Sequence, residues 1–85
     1  MGSNQAAANY RKHRVSFDEA ESTFADERSI DIFDPDHSDR EDRFVKIGRS
    51  TKKRLIVVVY TERGRVIRII SARRANRREK NQYEE

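Results

Sequence analysis

The 85-residue sequence has no cysteine, which removes both a disulfide framework and a thiolate metal site as ways of stapling a small fold. No apolar run approaches the roughly 18 residues needed to span a bilayer, and the first residues lack the apolar stretch of a secretory signal. Gly-rich phosphate loops, nucleophile elbows and zinc-ligand spacings are missing too. These absences lead us to expect a soluble cytoplasmic protein with no cofactor, no metal site and no membrane contact. Met1-Gly2-Ser3 reads as an expression remnant, and residues 1–85 as a single domain. A chain this short buries only about 60% of its unfolded surface, so its core is thin and a partner would help it.

What the sequence has is charge. Charged residues make up 40% and hydrophobic ones 34%, with a net charge of +4. The distribution says more than the total. Residues 17–42 hold eleven acids and two bases, a net −9, and residues 43–85 hold fourteen bases and four acids, a net +10. The cationic half suits phosphate. The acidic half can fold back on it or repel nucleic acid from the wrong face.

Hydrophobic patterning gives the element order. The Ala-rich stretch from Asn4 to Lys12 predicts a helix. Ser16 with Glu19 three residues later is a capping-box pattern for a second helix, with Phe17, Ala20 and Phe24 on one side and its end near Asp26. Strands are predicted at Ser29–Asp34, Arg43–Ser50, Leu55–Tyr60 and Val66–Ala72, and a polar helix from Ala75 onward. Short turns between the last three strands predict an antiparallel meander. The fold class is therefore α+β: about four strands, two N-terminal helices and a C-terminal helix, with the helices on one face and the other face open.

Candidate functional residues cluster in the last two strands. Arg68 interrupts an apolar strand, where it either forms a salt bridge, to Glu62 or Glu79, or grips a phosphate with its planar fork. Arg73 and Arg74 end that strand and Arg77 and Arg78 follow, so an early helix start would stack 73 on 77 and 74 on 78. His13 and His37 are the two candidates for proton transfer. Asp34, Asp36, His37 and Asp39 lack the Gly and terminal Glu of an EF-hand loop. On residues alone this is a basic α+β domain with arginines on a sheet, and no reaction follows from that.

Ala7-Ala8-Asn9, Lys12-His13 and Val15 to Ala20 resemble the opening signature of the BrnT family. Asp34 to Ser38 with Glu41 and Arg43, Ile47 to Ser50, Thr61 to Gly64, Arg68 to Arg73, Glu79 and Tyr83 continue it in the same order. The resemblance implies a RelE-like fold, RNA cleavage and growth arrest as the toxin of a type II toxin–antitoxin module. It also implies a BrnA-like ribbon-helix-helix antitoxin as partner, in a heterotetramer that meets operator DNA only through the antitoxin. For such a reaction we expect Arg68 and Arg73 to hold the scissile phosphate, Arg43 to assist, and His13 or His37 to handle protons. Lys12, Lys52, Lys53, Arg65, Arg74, Arg77 and Arg78 are then the RNA-contacting bases. The alternative is a non-catalytic basic domain that binds nucleic acid or docks a partner.

Two departures from the family pattern stand out. A short Phe-Glu-Trp-Asp segment, expected as an extra edge strand, is absent, and Arg14 stands where the family has Gly. Gly there supplies a helix end with positive φ, so Arg14 is expected to hold that conformation at a cost. Arg68 and Arg73 differ by an odd number, so a regular strand points them to opposite faces. They share one site only if the strand bends near Ser71.

Overall fold

The computed structural model describes residues 2–37 and 41–84, leaving out the side chains of Ser3 and His37. Helix α1 spans Gly2–His13 and α2 spans Phe17–Ser22, continued by a 3₁₀ turn at Thr23–Ala25. Strands β1 (Ile30–Phe33), β2 (Asp42–Arg49), β3 (Leu55–Arg63) and β4 (Val66–Arg74) follow, and α3 (Arg77–Glu84) closes the chain. The strands form one antiparallel sheet in the order β1-β2-β3-β4. The α+β meander is as the patterning predicts. Asp39 and Arg40, in the acidic loop, lie outside the described residues.

Local chemistry explains the turns. Arg14 has φ of 58°, and its N–H donates to Tyr10 O at 2.8 Å, the left-handed helix end that the sequence predicts. Ser16 caps α2, its Oγ accepting the Glu19 N–H at 3.0 Å. Glu19 does not complete a capping box. Its carboxylate is buried, accepting from Ser50 Oγ at 2.7 Å and from Arg54 Nε at 2.8 Å. The turn between β3 and β4 places Gly64 at φ of 62° as the first of two central residues, the sign pattern of a II′ hairpin.

The sheet has two unlike faces. On one, Ile56, Val58, Tyr60 and Ala72 pack with Val15 and Ala20 beneath α1 and α2. Asn9 pins α1 to the β4 edge, giving its Nδ2 proton to Ala72 O at 2.8 Å and accepting the Ala72 N–H at 3.0 Å. Lys46 is buried on this face, with its Nζ 3.0 Å from Ser29 Oγ and 4.7 Å from the centre of the Phe24 ring. Gly48 allows the Thr23 turn to close on β2, since a Cβ there would lie 3.1 Å from Thr23 Cβ.

The helices are not all on one face, and this corrects the sequence expectation. The second face carries Ile47 and Val57, packed with Ala75 and Tyr83 under the returning α3. Tyr83 Oη donates to Asp26 Oδ2 at 2.7 Å and ties that helix back to the start of the sheet. Only the half of this face beyond α3 stays open.

Candidate nucleic-acid interface

Side chains alternate between faces along a strand, so the registers assign the open half. Arg43, Thr61 and Arg68 are paired residues in one row across β2, β3 and β4. The next row is Val45, Val59 and Ser71, and the one after it is Ile47, Val57 and Arg73. All share the face that bears α3. Two strand spacings, about 10 Å, separate the backbones of Arg43 and Arg68, and Arg43 Nε is buried.

A bulge makes this grouping possible. Val59 pairs with Ser71 and Tyr60 with Ile69, which leaves Ile70 as one extra residue in β4. Parity flips at that point, so Arg68 and Arg73 lie on the same face despite their odd separation. The bulge carbonyl is satisfied from α1, where Gln5 Nε2 donates to Ile70 O at 2.6 Å.

The two arginines of β4 are held differently. Arg73 meets Glu79 through two bonds, Nη1 to Oε1 at 2.8 Å and Nη2 to Oε2 at 2.7 Å. Glu79 also accepts the Asn76 N–H at 2.9 Å while Asn76 Oδ1 accepts the Glu79 N–H at 2.9 Å, a reciprocal capping box that starts α3. The hydrogen bond from Arg73 holds the Glu79 carboxyl below its ordinary range, against the opposing effect of burial. Arg68 makes one bond, Nη2 to Glu41 Oε1 at 2.9 Å, and its side chain is 67% exposed. Its partner is thus neither Glu62 nor Glu79, the two that the sequence offers.

The remaining candidates scatter. Because α3 begins at Arg77, Arg73 and Arg74 belong to β4 and do not stack on Arg77 and Arg78 along a helix. Arg77 and Arg78 are exposed on α3, while Arg74 pairs with Ile56 and points to the opposite face. Lys52 and Lys53 lie exposed in the β2–β3 turn, at the far end of the sheet from Arg65 in the β3–β4 turn. Lys12 and His13 end α1, which packs on the other face through Asn9 and Ala72, so His13 is not brought to the arginine row. The His37 side chain lies outside the described residues.

Sequence reading missed Glu41, and it missed Arg63 because the third strand is predicted to stop at Tyr60. Continued alternation past Tyr60 puts Arg63 on the arginine face, two positions beyond Thr61. On the opposite face, the groove beside α2 carries Asp18 and Glu21, the wrong sign for phosphate. This groove of about 460 Å³ between α2 and β4 is lined by Phe17, Asp18, Glu21, Ile67 and Ile69, and borders Arg68.

Fold and site together define a small α+β protein with arginines on one face of its sheet. A family model described as the ribonuclease toxin BrnT of type II toxin–antitoxin systems matches residues 2–79. The chain belongs to that family, and with membership come an RNA substrate and an antitoxin partner. No curated protein sequence matches it. No helix among the described residues is long and apolar enough to cross a membrane.

Proposed function

We propose that this toxin is a metal-independent endoribonuclease that arrests growth in the cytoplasm by cutting RNA at the arginine row. The observation that carries the reading is the bulge at Ile70, because it sets Arg68 and Arg73 on the face of Arg43. In this type of cleavage the ribose 2′-hydroxyl attacks the adjacent phosphorus, and negative charge grows on the phosphoryl oxygens. Fixed guanidiniums aimed at that charge stabilise it without a metal. Arg68 and Arg43 hold the phosphate. Arg73, engaged by Glu79, adds positive charge to the floor.

A BrnA-like ribbon-helix-helix antitoxin neutralises the toxin in this reading, in a heterotetramer that reaches operator DNA through the antitoxin alone. The family resemblance supports that partner. The test is growth after induction without antitoxin. Wild type is expected to arrest cells and the Arg68→Ala/Arg73→Ala double variant to leave them growing; equal harmlessness of the two sinks the reading. Purified protein should cleave RNA equally with and without a chelator. Intact RNA with salt-sensitive retention would instead make the protein a non-catalytic binder.

A further inference from the structure

A reaction that begins at a 2′-hydroxyl needs a group to take its proton, and His13, at the end of α1 on the opposite face, is not placed at the arginine row. Among the described side chains, carboxylates on that face are the other acceptors to weigh. Glu79 is committed, since Arg73 takes both its oxygens and the Asn76 N–H shares one of them. Asp34 faces Arg43, but its Oδ1 accepts the Asp36 N–H at 3.2 Å and shapes the turn after β1.

Glu41 differs from both. It directly precedes β2, and its carboxylate reaches Arg68 on β4, so the pair bridges β3. Thr61, between Arg43 and Arg68 in the row, is only 6% exposed. The Glu41 side chain is 25% exposed, turned in over the sheet rather than out into water. Its single bond uses Oε1 and leaves Oε2 without a partner among the described residues. Arg68, held by one nitrogen, keeps its other donors for a phosphate.

We propose that Glu41 is the proton acceptor for the attacking 2′-hydroxyl, with the phosphate seated on Arg68 beside it. This rests on the ribonuclease reading above. The 2′-O–H proton moves to Glu41 as the 2′-O–P bond forms. The P–O5′ bond breaks, and the departing 5′-oxygen takes a proton from water. Glu41 returns its proton to the hydroxide left behind. The products are a 2′,3′-cyclic phosphate and a 5′-hydroxyl, and the carboxylate is regenerated.

The alternative is that Glu41 only neutralises Arg68, and the two roles predict opposite effects of one substitution. The full chain would be assayed on an unstructured oligoribonucleotide, with binding measured separately on the same oligonucleotide carrying 2′-deoxy sugars. If Glu41 takes the proton, Glu41→Gln lowers kcat by about 100-fold or more while the 2′-deoxy oligonucleotide binds as tightly or tighter, because Arg68 has lost its competitor. Glu41→Asp, which keeps the carboxylate, should recover part of the rate. Cleavage by Glu41→Gln within threefold of wild type, or faster, overturns the proposal while leaving the ribonuclease reading intact. Loss of binding together with rate also overturns it, since Glu41 would then only shape the surface. No cleavage by wild type removes both.

Discussion

Arg68 and Arg73 stand on one face of one strand, five positions apart, and each has a glutamate for a partner. Glu79 meets Arg73 in a two-bond fork and caps a helix with the same carboxylate, and its side chain is 16% exposed. Glu41 meets Arg68 through one bond, at a guanidinium that is two-thirds exposed. Residue types alone do not separate a structural clamp from a poised group. The number of bonds, the second duty of the carboxylate and the access of water do.

The contrast is broken most directly at Arg68. Arg68→Ala is expected to lower RNA cleavage by about 10²–10³-fold, as when a donor to transition-state charge is removed. Its stability should stay within about 0.5 kcal/mol of wild type, because an exposed single ion pair contributes little. Cleavage kinetics and urea unfolding check the two halves. The reverse pattern is expected of Glu79→Gln. It should cost about 2 kcal/mol in urea unfolding, by loss of a helix cap and a charged hydrogen bond, while cleavage falls by less than about tenfold.

Acid titration sharpens the same comparison. Hydrogen bonds from arginines hold both Glu79 and Glu19 below their ordinary 4.5. A carboxylate whose folded value is lowered stabilises the fold in full above its unfolded value, and loses that contribution as pH falls through 4.5 toward the folded one. Thermal midpoints are therefore expected to hold near neutrality and drop below about pH 4.5. Glu79→Gln should make that drop shallower. The smallest effect belongs outside the arginine face: Arg14→Gly, relieving a left-handed backbone, should stabilise by about 1 kcal/mol, with cleavage unaltered.

Much of this was legible before any coordinates. Binary patterning located all four strands, and Arg14 in the place of Gly announced its own positive φ. The Asn76 and Glu79 spacing is equally readable as a capping box, although it sits within a run of arginines. Other features leave no mark in the sequence. Ile70 is one apolar residue among several, with no Gly to betray a bulge, and only pairing to β3 reveals it as the extra one. Lys46 reads as a surface base, yet Phe24, Ser29 and Asp31 enclose it on the covered face. Glu41 reads as part of an acidic loop because its significance depends on a reach across β3, which local spacing does not encode. The side on which α3 returns depends in the same way on Tyr83 finding Asp26.

The bulge has a consequence best put in genetic language. β4 behaves like a message with one extra letter: upstream and downstream of Ile70, the rule for which face a position serves is out of phase. Deleting that single codon would act on the faces as a frameshift acts on codons, sending either Arg68 or Arg73 to the wrong side of the sheet and its neighbours with it. A compensating one-residue insertion anywhere between those arginines would restore the frame. Intragenic suppressors of an Ile70 deletion should therefore be insertions confined to positions 69–72, rather than substitutions elsewhere.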